Sequence, residues 1–147
     1  MNYLDTSALI KRLVRETGSG AVAVLVRTGS PVATSKVAYA EVFAALARRR
    51  REGDLAERAY RAACSAFETQ WASYIRVELS DEVLERTRVL VAHHPLRGFD
   101  AIHLASALDL RDETGVEWTF AGADRRQLEA ARAEGLSVID LAVASAP

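Results

Sequence analysis

Apolar residues along the chain alternate between two spacings, one short and one helical. Tyr3-Leu4 is a brief apolar run that reaches Asp5, and Leu9, Ile10, Leu13 and Val14 then recur at helical spacing, which predicts a strand followed by a helix over residues 6–15. A second helical pattern over 19–28 stops at Gly29, and Pro31-Val32-Ala33-Thr34 predicts the next strand. Residues 36–51 form a long helical pattern that Gly53 breaks, and Asp54 is the expected N-cap of a further helix running to about Ala72. Tyr74-Ile75-Arg76-Val77-Glu78 alternates like a strand. Ser80, with Asp81 and Glu82, opens a helix that Pro95 closes, and after Gly98 another runs from Asp100 to about Arg111, with Gly115 as its stop. Trp118-Thr119-Phe120 predicts a strand, 124–134 a helix stopped by Gly135, and Ser137-Val138-Ile139 a final strand. Strands separated by helices imply right-handed crossovers, so the expected fold is a single α/β domain over residues 1–147 with a mainly parallel sheet covered on both faces.

Composition narrows the picture only slightly. Half the residues are hydrophobic and 27% are charged, the balance of a globular chain rather than a disordered or membrane-embedded one. Cys64 is the one cysteine, which excludes an intramolecular disulfide and fits a reducing compartment. No apolar stretch approaches the roughly 20 residues needed to span a bilayer, and Met1 leads straight into the first strand without a leader pattern, so a cytoplasmic protein with no membrane role is expected. The net charge of −1 lacks the basic footprint of many nucleic-acid binders. Distribution matters more than the sum, because acids gathered in one place must be offset by bases elsewhere. The bases are almost all arginine, with Lys11 and Lys36 the exceptions, and arginine's planar fork suits phosphate.

The placement of four acids is the informative anomaly. Asp5 and Asp124 each follow a predicted strand and open a helix, so for either one alone N-capping is the leading reading. Glu41 lies within a helix flanked by apolar residues, and such a glutamate is either paired with a buried base or used functionally. Asp100 shares a helical stripe with His103, Leu104 and Ala107, and its place near a helix start leaves capping open. Together they say more than singly. Ligands of open parallel sheets bind beyond the carboxyl ends of the strands, where Asp5 and Asp124 stand, while Glu41 and Asp100 belong to helices able to overhang that edge. Oxygen-rich sites take hard cations such as Mg2+ or Mn2+, which can activate water against a phosphodiester.

Four segments carry a family resemblance. Tyr3-Leu4-Asp5-Thr6-Ser7-Ala8-Leu9, Ala40-Glu41-Val42, Arg97-Gly98-Phe99-Asp100-Ala101-Ile102-His103-Leu104-Ala105 and Phe120-Ala121-Gly122-Ala123-Asp124-Arg125-Arg126 resemble the four acidic motifs of PIN domains, and more narrowly those of VapC-type toxins from toxin–antitoxin pairs. The resemblance covers nearly the whole chain, with residues 53–94 matching only in element pattern. It implies a three-layer α/β/α domain, Mg2+- or Mn2+-dependent endoribonuclease activity on RNA, a homodimer and inhibition by a cognate antitoxin. It also implies Asp5, Glu41, Asp100 and Asp124 as catalytic and metal-binding residues, with Thr6 and Ser7 in support. One departure stands out: relatives commonly carry threonine or serine two residues before the fourth acid, where this chain has Gly122.

The remaining candidates are weaker. Arg97, His103 and Arg125 are candidate substrate contacts, although a packed helix histidine is the commoner role for His103. Arg48 to Arg51 could hold phosphates, yet a solvated helix end complementing the dipole is the leading reading. His93-His94 reads as a helix end and Cys64 as core. Receiver-type or haloacid-dehalogenase-type phosphoryl transfer would need a second acid beside the first and a late phosphate-binding lysine, and the chain has neither. A non-catalytic module whose acids are only caps or a docking surface remains the second reading.

Overall fold

The computed structural model describes residues 1–27 and 29–143. Position 28, where the second predicted helix was expected to end, and the last four residues of the expected domain lie outside the described residues. The element order is β1 (Asn2–Leu4), α1 (Thr6–Leu13), α2 (Ser19–Arg27), β2 (Val32–Ser35), α3 (Val37–Arg51), α4 (Glu57–Trp71), β3 (Ile75–Val77), α5 (Asp81–His93), α6 (Gly98–Thr114), β4 (Thr119–Gly122), α7 (Arg125–Ala133) and β5 (Ser137–Asp140). All pairings are parallel, in the order β3-β2-β1-β4-β5.

Successive strand residues point to opposite faces, and β1, β2, β4 and β5 each feed two cores. Tyr3, Ala33 and Phe120 pack under α5, α6 and α7, whereas Leu4, Val32 and Ala121 pack under α1 to α4. The result is the expected three-layer arrangement. Strand order reverses between β1 and β4, since β2 and β3 lie to one side of β1 while β5 lies beyond β4. That reversal is the topological switch point at which parallel α/β sheets place their ligand sites.

Local signals set most boundaries. Ser80 caps α5 by accepting from the Val83 N–H, and Gly115 ends α6 at φ 66, a left-handed conformation that costs glycine least. The expected Asp54 cap is not formed. Its N–H donates instead to the Arg49 carbonyl, so Asp54 helps close α3, and α4 begins three residues later without a side-chain cap. No helix among the described residues is long and apolar enough to cross a membrane.

Candidate active site

Asp5 leaves β1 at the switch point and is 4% exposed. Its Oδ1 accepts from the Ala8 N–H at 2.8 Å and the Ser7 hydroxyl at 2.7 Å, so the capping role is real and also fixes the carboxylate. Ser7 accepts in turn from the Ala123 N–H at 2.9 Å, tying the start of α1 to the segment after β4. Burial raises the Asp5 pKa, against the lowering influence of His103 and these hydrogen bonds. A cation would relieve that penalty.

Asp124 stands beyond the adjacent strand and caps α7, with Oδ1 accepting from the Gln127 N–H at 3.0 Å. Gly122 explains the missing hydroxyl in geometric terms. A Cβ there would lie 2.8 Å from Asp5 Oδ2, so this chain keeps the space beside the Asp5 carboxylate clear.

Glu41 has the buried partner that one alternative required and also stands where the other would place it. It lines the cavity, and its Oε1 accepts from Thr6 Oγ1 at 2.8 Å and His103 Nε2 at 2.7 Å. Burial works to raise its pKa, but the hydrogen bond and charge of His103, aided by Thr6, outweigh it and hold Glu41 below its ordinary value. His103 is 2% exposed and meets the Tyr3 hydroxyl through Nδ1 at 3.1 Å. Both ring nitrogens of His103 are therefore engaged, by Glu41, Thr6 and Tyr3, although the residue also lines the cavity where its substrate contact was expected.

Asp100 does not cap α6, which begins at Gly98 with Arg97 in the cap position. Its carboxylate accepts from Arg97 Nε at 2.9 Å instead. Arg97 is exposed and also feels Asp124 and Glu41, so its guanidinium neutralises the acids collectively. Arg125 points elsewhere. Its largely exposed side chain pairs with Glu129 one turn on, and it takes no part in lining the cavity.

The four acids and Arg97 line one open cavity of about 600 Å³. Arg48, Arg49 and Arg51 line it too, which sequence reasoning left as a solvated helix end. The acids share the cavity without closing on one point: among the described residues, no three His, Cys, Asp or Glu side chains already form a metal-binding group. The donors nevertheless fit a hard divalent ion. All four are carboxylates on one open cavity, the oxygen donors that such an ion takes.

Glu16 anchors the arginine side. It accepts from Lys11 at 3.0 Å and from Arg49 at 2.8 Å. Desolvation raises its pKa, but the two bases prevail and the value is lowered. A depressed carboxylate stabilises the fold above its unfolded pKa and loses that contribution as pH falls through the folded value. Glu16→Gln should cost less than about 1 kcal/mol at neutral pH, with the difference from wild type vanishing below about pH 3 in urea melts.

Glu16 and Gln127 line the cavity without having been singled out in the sequence, and only the place of Gln127 three residues after Asp124 could have signalled it. Comparison with known proteins agrees with this geometry. The PIN domain family matches residues 3–132. Ribonuclease VapC45 of Mycobacterium tuberculosis (strain CDC 1551 / Oshkosh) is 40% identical over 136 residues, 92% of each chain. Among solved structures, Mycobacterium tuberculosis VapC20, described as a sarcin-ricin loop cleaving toxin, has a TM-score of 0.65 at 17% identity, covering 92% of this chain and 96% of its own. A toxin-antitoxin complex from Klebsiella pneumoniae gives 0.63 at 16%, covering 95% and 96%. The structural likenesses show the fold, whereas the family match and the 40% identity show descent: the chain belongs to the PIN-domain family, in its VapC-type branch.

Proposed function

We propose that this chain is a divalent-metal-dependent endoribonuclease that hydrolyses RNA and acts as the toxin of a toxin–antitoxin pair. The observation that carries the reading is the meeting of four carboxylates from four separate segments on one cavity at the switch point of the sheet. Asp5, Glu41, Asp100 and Asp124 would hold Mg2+ or Mn2+, and when bound such an ion supplies water activation and charge neutralisation at the phosphodiester. Ser7 and the Ala8 N–H fix Asp5. His103 and Thr6 orient Glu41 and favour its charged form. Asp100 would exchange Arg97 for the ion, and the freed guanidinium, with Arg48 and Arg51, offers phosphate contacts along the cavity.

An antitoxin partner is supported by the resemblance to the Klebsiella pneumoniae toxin-antitoxin complex. A homodimer suits the apolar residues that α5 leaves exposed, Leu84, Val89 and Val91. A cytoplasmic site of action follows from an RNA substrate. The rival docking-module reading draws on the capping bonds of Asp5 and Asp124. It predicts no saturable Mn2+ binding.

Incubation of the purified protein with total RNA, with Mg2+, with Mn2+ and with EDTA, tests the proposal. Cleavage should require the metal and leave 5′-phosphate and 3′-hydroxyl ends, because water rather than the ribose 2′-hydroxyl is the nucleophile. Products ending in 2′,3′-cyclic phosphate would overturn the mechanism.

A further inference from the structure

Tyr3 is fully buried on β1 and takes no part in lining the cavity, yet its hydroxyl reaches the ring that holds Glu41. Thr6 has one hydroxyl hydrogen and gives it to Glu41 Oε1 at 2.8 Å. His103 Nε2 then faces two acceptors, Glu41 Oε1 at 2.7 Å and Thr6 Oγ1 at 3.0 Å, and must carry a hydrogen itself. In the neutral ring that leaves Nδ1 as a bare acceptor, within a residue only 2% exposed. The Tyr3 hydroxyl, 3.1 Å away, is the donor that Nδ1 needs, and burial holds its pKa well above the ordinary value, so it keeps its hydrogen. Ser106 and the Ser35 backbone also bond the phenol, both in the sense of donors to its oxygen, which leaves the phenol's own hydrogen for Nδ1. The phenol is itself fixed. Parallel pairing of β1 with β4 sets Tyr3 beside Phe120, on which its ring stacks at 5.4 Å while meeting the imidazole edge-on at 6.1 Å.

We infer that Tyr3 is a positioning residue of the active site, its hydroxyl holding His103 in the tautomer that aims an Nε2 hydrogen at Glu41. Which imidazole nitrogen carries the hydrogen is set by the bond that the other nitrogen makes. With the hydrogen on Nδ1 instead, the Nε2 lone pair would face the Glu41 carboxylate 2.7 Å away and repel it. Tyr3 lies outside the cavity lining, so it acts on Glu41 through the ring alone. For its effect on cleavage the inference rests on the nuclease reading above, whereas the tautomer follows from the hydrogen bonds. Loss of a group that orients a functional carboxylate from outside typically costs about 10- to 100-fold in activity, and Tyr3 stands one bond further out, at the low end of that range.

Two measurements test it: NMR of the His103 ring nitrogens in metal-free protein, and RNA cleavage in Mn2+ by wild type, Tyr3→Phe, His103→Leu and the double variant. The wild-type ring should be neutral, with its hydrogen on Nε2 and with Nδ1 accepting a hydrogen bond. Tyr3→Phe should move the Nδ1 resonance downfield, toward that of a nitrogen without a donor, and should lower kcat about 10-fold at unchanged KM. In the His103→Leu background the same change should lower kcat no further, because the ring through which Tyr3 acts is gone. A wild-type ring with its hydrogen on Nδ1, or with hydrogens on both nitrogens, would overturn the assignment. So would equal losses from Tyr3→Phe in both backgrounds, which would trace the effect to the packing of β1. If His103→Leu fails to fold in EDTA, His103→Met provides the same background. A wild-type protein that cleaves no RNA would overturn the nuclease reading and the role in cleavage with it, while the ring spectrum would still decide whether Tyr3 sets the tautomer.

Discussion

Glu41→Gln should lower RNA cleavage by about 100-fold or more while costing the fold only about 1 kcal/mol. The carboxylate oxygen accepts from Thr6 and His103, and an amide oxygen can accept from both in the same place. What is lost is charge assistance, which separates a strong hydrogen bond from an ordinary one. The new amide hydrogens need not be buried unpaired, because the side chain keeps a quarter of its surface. Sequence alone offered two outcomes: a buried base left stranded, or relief of repulsion within an acidic cluster. The structure supplies the base, and the groups that act most on Glu41 are His103, Thr6 and Arg97 rather than the other acids, so the metal-free cost is that of weaker hydrogen bonds alone and stays small because the amide oxygen can still accept both. Cleavage has no such compensation, since one negative charge has left the ion's surroundings. Melts in EDTA and in Mn2+, alongside initial cleavage rates, decide the matter. A variant strongly destabilised in EDTA that still cleaves RNA at the wild-type rate would make Glu41 architecture alone.

His103→Leu should have the larger effect on stability, about 3 kcal/mol. Leucine fills comparable space, so the loss is not a cavity. It is polar: Glu41 loses its Nε2 donor and the fully buried Tyr3 hydroxyl loses the ring nitrogen it faces. Tyr3 cannot recover by ionising, because burial keeps its pKa well above the ordinary value. Thr6 still donates to Glu41, which limits the damage there. The double variant Glu41→Gln with His103→Leu should cost less than the sum of the single ones, because each already breaks the same contact. Urea unfolding of the three variants in EDTA measures this. Strict additivity, or a His103→Leu protein as stable as wild type, would show that the ring does not hold Glu41.

The sequence contains the element order because its signals are local. Helical and alternating periodicity are set within a few residues, and so are caps such as Ser80 and stops such as Gly115; nearly every predicted element forms where expected. Asp5 and Asp124 were legible for the same reason, each standing between a strand and a helix. Their capping and proposed functional roles coincide because one carboxylate oxygen can bind the helix N-terminus while the residue still lines the cavity. Asp54 failed as a cap because the closing turn of α3 extends through residues 54 and 55, whose N–H groups both donate to the Arg49 carbonyl, so α4 starts only at Glu57 with Ala56 in the cap position, a boundary that residue type alone does not reveal.

Other features depend on which strands become neighbours, and local spacing carries no information about that. Parallel pairing of β1 with both β2 and β4 creates the switch point. It also brings Tyr3 and Thr6 to His103, about a hundred residues away in the chain. A histidine on a helical stripe therefore reads the same in sequence whether it meets substrate or is engaged by Glu41, Thr6 and Tyr3. Arg48 and Arg51 look like any solvated helix end until α3 is laid along the acidic cavity, while Arg125, beside an acid in sequence, turns to Glu129. Gln127 is the extreme case. Nothing local distinguishes it from an exposed helix glutamine, and only the packing of α7 against α6 buries its amide against the Asp100 carbonyl and leaves one oxygen without a partner. The chain's local chemistry thus determined which acids could serve, and the long-range pairing of its strands and helices decided what stands around them.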